Sequence, residues 1–246
     1  STDHSLVTVD EELNYVDHAP ELGLTIPRLR KAVSEKEGYE LLESIELPKV
    51  EESKYTFLDR IPLDFGFGYV NGVYVGDGWT NASTTKEAYA ICLASDANYV
   101  PNEIQRIVSS YCDQKVHISS VKNPHDFDGH DSFSMKHTWY SSRFAEYFKE
   151  AIGQGSYNKH LPPFWTQSPE SFRWGLLSGL IDTDGSVGCT KRQTYINYTT
   201  VSRRLAYEVV ALGHSLNLTC TVTITQTPQG EECYVVMFNQ ESIARM

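Results

Sequence analysis

Two stretches of this chain align with one another without a gap, so that Asp77 in the first corresponds to Asp184 in the second. The first is Tyr69-Val-Asn-Gly-Val-Tyr-Val-Gly-Asp77-Gly78, and the second is Leu176-Leu-Ser-Gly-Leu-Ile-Asp-Thr-Asp184-Gly185. Both are largely apolar, carry glycine at the fourth position and end in Asp-Gly. An internal repeat at a fixed offset indicates an architecture of two copies of one structural unit. It also supplies two equivalent carboxylates.

Each stretch is long enough for nearly three turns of helix and too long for an ordinary strand. Small residues recur every four positions, at Gly72 and Gly76 and again at Gly175, Gly179 and Thr183. Residues four apart share a helix face, so two helices could approach closely through these positions. A glycine inside a helix lowers helix stability by about 1 kcal/mol relative to alanine, so its presence indicates a packing role. We expect a pseudo-symmetric pair of packed helices.

The Asp-Gly at the end of each stretch predicts the helix terminus. We expect Gly78 and Gly185 to adopt the left-handed conformation that commonly ends a helix, which leaves Asp77 and Asp184 in the last turn. The helix dipole disfavours negative charge there by about 0.3–1 kcal/mol. Two such carboxylates brought together call for a cation, and oxygen-only ligands suit Mg²⁺. A buried helix stopped by an Asp-Gly turn would explain one copy, but not two in register.

Length and composition allow two repeats of about one hundred residues each. The chain has 246 residues, of which 40% are hydrophobic. No apolar run approaches the ~20 residues of a membrane-spanning helix, and the chain opens with polar residues rather than a signal peptide. Five cysteines without a Cys-x-x-Cys pair indicate reduced thiols. We expect an intracellular protein, in the cytoplasm or with the nucleoid or nucleus.

The net charge of −11 opposes the binding of a polyanion. The negative charge is concentrated in residues 1–60, which hold 7 basic and 14 acidic residues. Residues 186–204 include Lys191, Arg192, Arg203 and Arg204 and no acidic residue. A local basic surface after the second stretch is therefore compatible with nucleic-acid binding.

The pattern of elements divides the chain into three parts. Residues 1–60 are acidic and end in a charged, linker-like stretch at 48–54, whereas 61–165 and 166–246 repeat one order of helix, strands, helix and strands. In the second unit we predict a strand pair at 186–198, a helix at 202–216 capped by Ser202, and a hairpin around Pro228-Gln-Gly230.

The second stretch closely resembles the signature of the LAGLIDADG homing endonucleases, and the first resembles that family's looser first motif. The resemblance covers roughly Ile61 to Met246. It implies an α+β fold of two pseudo-symmetric αββαββα repeats packed through paired motif helices, with antiparallel sheets that form a DNA-binding saddle. It further implies a monomeric, site-specific endonuclease that cuts both strands of DNA with Mg²⁺ or another divalent cation such as Mn²⁺.

The resemblance also assigns candidate residues to the catalytic centre. The residues that would bind the metal are Asp77 and Asp184 together with Gly76 and Thr183. The segment Asn158-Lys159-His-Leu-Pro-Pro163 resembles the Lys-x-Ile-Pro block of intein-borne members, which makes Lys159 the candidate basic residue of the catalytic centre. A lysine beside metal and phosphate can polarise the attacking water or stabilise developing charge. Its other interpretation is a solvated lysine in a surface loop.

By the same resemblance, the sheets after each motif would read DNA. Polar and basic side chains there can contact base edges or phosphates. The candidates are Ser83, Thr84, Thr85, Lys86, Lys191, Arg192, Gln193, Thr194 and Asn197.

The N-terminal residues resemble a different module. Ser1-Thr-Asp-His4 resembles the Thr-x-x-His block of the Hint splicing domain, and Thr200–Ala206 resembles the block after the second motif in inteins. His4 would then be the histidine that activates a splice junction, and residues 1–60 a partial Hint segment and linker. Because the terminal splicing residues are missing, we expect no splicing. We also expect the second repeat to be truncated at its C-terminus.

Two alternatives stay open: a catalytically decayed LAGLIDADG module that only binds nucleic acid, such as a maturase-like RNA binder or regulator, and a fragment of a protein-splicing element. The paired aspartates favour the nuclease. His125-Asp-Phe-Asp-Gly-His-Asp131 fits no standard zinc spacing, and we interpret it as a polar loop. No Gly-x-Ser-x-Gly elbow indicates a serine hydrolase.

Overall fold

The structure, a computed structural model, describes residues 7–9, 15–17, 41–50, 56–82, 87–94, 99–113, 118–127, 130–189 and 194–239. Two short antiparallel pairs precede the main body: β1 (Val7–Val9) with β2 (Tyr15–Asp17), and β3 (Ser44–Ile45) with β4 (Ile61–Pro62). In the described part of the chain, no helix has the length and apolarity needed to cross a membrane.

The main body repeats one order of elements. The first unit contains α1 (Phe65–Asp77), β5 (Gly78–Ala82), β6 (Glu87–Ala94), α2 (Tyr99–Ser110), β7 (Ile118–Phe127), β8 (His130–Trp139) and α3 (Ser142–Ala151). The second contains α4 (Glu170–Asp184), β9 (Gly185–Cys189), β10 (Thr194–Thr200), α5 (Arg203–Ser215), β11 (Cys220–Gln226) and β12 (Glu232–Phe238). A short 3₁₀ turn, Trp165–Gln167, leads into α4.

The two four-stranded sheets have the same topology. Their strand orders are β5-β6-β8-β7 and β9-β10-β12-β11, and every pairing is antiparallel. The correspondence between the two copies continues into the sheets, since Gly78 pairs with Ile91 in the first and Gly185 pairs with Tyr198 in the second. The predicted α+β fold of two pseudo-symmetric repeats joined through paired helices is thereby confirmed.

Helices α1 and α4 pack backbone against backbone. A methyl group built on Gly68 would overlap the carbonyl oxygen of Phe172, and one on Gly175 would overlap that of Phe65. These two contacts are equivalent: the spacing between Asp77 and Asp184 also relates Gly68 to Gly175 and Phe65 to Phe172. Gly72 against Leu176 and Gly179 against Tyr69 form a second exchanged pair along the same crossing. The helices are thus related by a pseudo-twofold axis, and only glycine fits at the crossing.

The helix termini confirm one prediction and correct another. Ser202 caps α5, because its hydroxyl accepts from the backbone N–H of Leu205 at 3.2 Å. Gly78 and Gly185, expected to be left-handed, are extended, with φ of −81° and −82°. The reason is that a strand begins at each glycine, so the chain leaves the helix without a reversing turn. Their lack of a side chain is still required, because a methyl group at either would collide with the preceding helical turn.

The described residues between His125 and Asp131 lie in strands, so their interpretation as a polar loop was wrong. Phe127 of β7 pairs with His130 of β8, and Asp126 pairs with Asp131, while residues 128 and 129 lie outside the described part. Farther along β8, His137 is buried, and its Nδ1 lies 2.8 Å from the hydroxyl of Ser120.

The described part of the predicted linker region packs against the first repeat. Leu47 and Phe57 are buried in the common hydrophobic core, and Phe57 packs edge-to-face on Phe144 of α3. Arg143 donates to the carbonyl oxygens of Leu47 and Pro48 at 3.1 and 3.0 Å. The chain on both sides of the predicted linker therefore braces α3, the helix that leads toward the candidate lysine.

Gly179→Ala should destabilise the protein even though alanine is the better helix former by about 1 kcal/mol. The added methyl group forces α1 away from α4, and overpacking of this kind costs about 1–3 kcal/mol. Ser178→Ala, one position earlier and only partly buried, is the matched control. Chemical denaturation measures both variants. An unchanged or higher free energy of unfolding for Gly179→Ala would contradict the close helix crossing.

Candidate active site

The two aspartates of the repeat lie together at one end of the helix pair. Because α1 and α4 run in the same direction, both C-terminal residues, Asp77 and Asp184, reach the same end. A methyl group built on Gly76 would lie 3.4 Å from Oδ2 of Asp184, so that carboxylate lies beside the last turn of α1. Asp77 is partly buried, whereas Asp184 is exposed on one side.

The surroundings make ionisation of both aspartates unfavourable. Burial, and then the charge of Asp184, raise the pKa of Asp77 to about 7, against the opposing effect of Lys159. Nearby protein atoms also displace water from the Asp184 carboxyl, and this desolvation raises its pKa to about 6, again opposed by Lys159. The nearby lysine therefore only partly compensates the pair. A site of this kind favours an additional cation.

Lys159 lies beside the aspartates and is only 6% exposed. Its Nζ donates to the carbonyl oxygens of Tyr74 at 3.1 Å and Gly76 at 2.9 Å, and it lies 5.5 Å from the centre of the Tyr74 ring. A cation at the C-terminus of α1 is stabilised by the helix dipole. Burial lowers the pKa of Lys159 to about 8, while Asp184 and Asp77 oppose that shift. Its interpretation as a solvated surface lysine was wrong.

The loop that carries Lys159 reaches the helix ends through a tight reversal after α3. Gly153 and Gly155 have φ of 85° and 79°, a region that favours glycine. The backbone N–H of Lys159 then donates to the Gly155 carbonyl at 3.1 Å, and that of His160 donates to Ile152 at 3.2 Å. These bonds turn the chain back so that the lysine side chain reaches the end of α1.

Gly76 and Thr183 meet on the pseudo-twofold axis. The offset between the two copies exchanges them, and a methyl group on Gly76 would overlap the Thr183 side chain. Their polar groups are occupied within the protein: Lys159 binds the Gly76 carbonyl, and the Thr183 hydroxyl donates to Gly179 and Leu180 at 3.0 and 3.1 Å. The assignment of these two residues as metal ligands stays a prediction.

A divalent cation fits the chemistry of this donor set. In the described part of the chain, no group of three or more His, Cys, Asp and Glu side chains converges. The aspartate pair would therefore share a cation with oxygens from water or phosphate, as Mg²⁺ prefers. Softer, nitrogen- or sulfur-bound ions are less suited to two carboxylates.

Most of the predicted DNA contacts, and the splicing-like histidine, lie outside the described residues: Ser83, Thr84, Thr85, Lys86, Lys191, Arg192, Gln193 and His4. The other two DNA candidates, Thr194 and Asn197, lie on β10. Alternation along that strand places Thr194 on the side of buried Ile196 and Tyr198, and Asn197 on the opposite face. Of the two, only Asn197 therefore belongs to the sheet face turned away from the core.

Two residues near the site were missed at the sequence level. Gly68 completes the glycine face of α1 one turn before Gly72. Tyr198 is fully buried, and burial together with the charge of Asp184 raises its pKa well above the usual range. Gly68 shares the four-residue spacing and could have been found. Tyr198 carries no such signal, because its position depends on strand pairing with Gly185.

Comparison with known proteins places this geometry in a family. Residues 171–246 match the family model described as a LAGLIDADG-like domain. Crystal structures of the homing endonuclease I-DmoI share the fold. The complex with DNA and Mn has a TM-score of 0.53 at 15% identity, over 74% of this chain and 94% of that one. The mesophilic variants of I-DmoI have a TM-score of 0.53 at 14% identity, over 74% of this chain and 93% of theirs. Residues 171–246 therefore match a LAGLIDADG-like domain, and the chain shares the fold of I-DmoI.

Two curated relatives match parts of this chain. An ATP-dependent DNA helicase Hel308 of Thermococcus kodakarensis is 42% identical over 85 residues, which are 33% of this chain and 8% of the helicase. The DNA-directed RNA polymerase subunit Rpo1C of Methanocaldococcus jannaschii is 26% identical over 170 residues, 68% of this chain and 18% of that subunit. The chain thus spans less than a fifth of either relative.

Asp77→Asn should stabilise the metal-free protein more at pH 8 than at pH 5. The pKa of Asp77 rises from 3.8 to about 7 on folding, so the folded state holds its proton more tightly and loses stability as the pH rises through this range. The asparagine variant avoids that loss. We expect its melting temperature, relative to wild type, to increase by about 2–6 °C between pH 5 and pH 8. Calorimetry without divalent ions tests this, and an equal difference at both pH values would contradict it.

Proposed function

We propose that this LAGLIDADG protein is a monomeric, intracellular, site-specific DNA endonuclease that depends on Mg²⁺ or a similar divalent cation and is encoded within an intein. The observation that carries the proposal is the pair of aspartates at the ends of two pseudo-symmetric helices. The buried Lys159 balances the negative charge of this pair only in part. A protein that only binds nucleic acid gains nothing from carboxylates beside phosphates. Two equivalent carboxylates instead fit the cutting of two strands.

Asp77 and Asp184 would hold the cation, since their carboxylates are oxygen donors at the helix ends. A bound divalent cation supplies a Lewis acid that neutralises phosphate charge and acidifies a water molecule. The cation also relieves the unfavourable ionisation of the pair, whose raised pKa values otherwise leave Asp77 partly protonated near neutral pH. Cation binding and DNA approach should therefore be coupled to proton release from the aspartates.

Lys159 contributes a positioned donor. Its ammonium has three N–H groups, and two of them bind the carbonyl oxygens of Tyr74 and Gly76. The third can serve a water molecule or a phosphate oxygen beside the aspartates. Because the bonded carbonyls belong to the rigid last turn of α1, this donor needs little reorganisation when charge develops on the phosphate.

The described residues of the second sheet offer a candidate surface for reading DNA. On the face turned away from α5, Asn197 is flanked in register by Ser186 of β9 and Met237 of β12. Met237 is 39% exposed, and an exposed apolar side chain suits contact with thymine methyl groups, whereas Oδ1 of Asn197 is buried. The described residues of this face would therefore contact bases mainly through apolar side chains such as Met237.

The setting within an intein is supported by the relatives and by the N-terminal resemblance. The chain matches short portions of a helicase and of an RNA polymerase subunit, two large proteins with different activities. An element that resides inside unrelated host proteins would give that pattern. The Thr-x-x-His-like block at His4 points the same way.

The proposal is tested by incubating a randomised plasmid library with the protein and Mg²⁺ and sequencing the new DNA ends. Asp184→Asn should abolish recurrent ends and retain DNA binding. Asp182→Asn is the matched control: its side chain, two positions earlier on α4, accepts from the Tyr69 hydroxyl at 2.8 Å, and an amide can still accept. Recurrent DNA ends that form with the wild type and with Asp182→Asn, but not with Asp184→Asn, would support the nuclease. Binding without cutting by the wild type would replace it with a nucleic-acid-binding module.

Lys159→Met should reduce single-turnover cleavage by about 10²-fold or more, because a positioned donor at the reacting phosphate is lost. Methionine fills much of the buried space, so folding should be preserved. DNA affinity measured with Ca²⁺ should change little. A cleavage rate close to that of the wild type would show that Lys159 only caps α1.

A further inference from the structure

Glu208 is a buried acid in the middle of α5, in the second repeat. It is 4% exposed, and both of its carboxylate oxygens are used. Oε1 accepts from Nε of Arg204, one turn earlier, at 2.8 Å, and Oε2 accepts from the backbone N–H of Leu161 at 2.7 Å. Burial raises the pKa of Glu208, and these hydrogen bonds oppose the shift. A buried carboxylate is costly unless it is paired in this way.

The bond to Leu161 reaches the loop that carries Lys159. Leu161 is two residues beyond the lysine, and its side chain is buried. On the other side, the loop is held by the bonds of Lys159 and His160 to Gly155 and Ile152, at the end of the first repeat. The lysine therefore lies between one anchor from each repeat. Glu208 is the second repeat's anchor.

The chemistry of this anchor explains why an acid is present. The ion pair with Arg204 would contribute little on its own, because the Arg204 side chain is exposed and its charge is screened by solvent. A hydrogen bond from a backbone N–H to an ionised carboxylate is stronger than one between neutral groups. That bond fixes the distance between α5 and the loop that carries Lys159. It thereby also fixes the direction from which the Lys159 side chain approaches α1.

We propose that Glu208 is a positioning residue: through the Leu161 N–H it holds Lys159 against the carbonyl oxygens at the end of α1. The consequence for cleavage rests on the proposed nuclease function, whereas the positioning itself does not. Correct placement of the lysine then requires the second repeat to be folded onto the first.

The test compares Glu208→Met with Glu208→Gln. Methionine has a similar length but cannot accept the hydrogen bond in this way, whereas the glutamine amide oxygen can. Brief acylation of amines at a fixed pH, read by mass spectrometry, reports the accessibility of each lysine in the metal-free protein. We expect Glu208→Met to raise labelling of Lys159 at least five-fold and Glu208→Gln to stay within two-fold of wild type.

Glu146→Met is the matched control, because Glu146 is an acid on α3 that pairs with Lys149 at 3.5 Å and not with the loop. It should alter labelling of Lys149 at most. If Glu208→Met does not fold, as judged by circular dichroism, Glu208→Asp provides the second test. Aspartate keeps the charge but shortens the reach, and it should also expose Lys159.

Cleavage supplies the second readout. Glu208→Met should slow single-turnover cleavage at least ten-fold, while its affinity for the target in Ca²⁺ stays within two-fold of wild type. Glu208→Gln should cut at a rate close to that of the wild type. Unchanged labelling of Lys159 in Glu208→Met, equal losses in both variants, or increased labelling of all lysines would overturn the proposal. If the wild type cuts no DNA, the proposed function fails, and the labelling result still decides whether Glu208 positions Lys159.

Discussion

The direct backbone contact between α1 and α4 is the constraint on which the other features depend. At Gly68, Gly72, Gly175 and Gly179, each helix presents bare backbone to a carbonyl oxygen of its partner. The glycines lower helix propensity by about 1 kcal/mol each, and close packing of two long elements offsets that cost. Because the helices run side by side in the same direction, the crossing also delivers two chain ends to one point. A looser crossing would separate them.

At that point the structure accepts an unfavourable arrangement. Two acids lie at the negative ends of two helix dipoles, and the lysine beside them is shared with the carbonyl oxygens of Tyr74 and Gly76. Local instability of this kind is often found where a protein acts on a ligand. The surrounding core, with Phe67, Phe144 and Phe148 fully buried, supplies the stability that the site itself lacks.

Local patterns predicted the elements of this fold well, but not the contacts among distant residues. The helix pair, the Ser202 cap and the aspartates at the helix ends all follow from spacing within one short stretch of sequence. The extended Gly78 depended on the strand that follows it, which an Asp-Gly pair does not reveal. The burial of Lys159 depended on carbonyl oxygens in α1, far away along the chain. The burial of Glu208 likewise depends on a distant contact, the backbone N–H of Leu161, which no local pattern reveals.

The difference between the two copies at the symmetry axis bears on how the halves recognise each other. There, Gly76 faces Thr183, and the space is filled by one side chain. Two copies of the second half would bring two threonines into that space and collide, whereas two copies of the first would leave a gap. Specificity between partners is a difference of affinities. The contact between Gly76 and Thr183 lowers the affinity of a first half for another first half and of a second half for another second half. Separated halves should therefore prefer unlike partners to like ones.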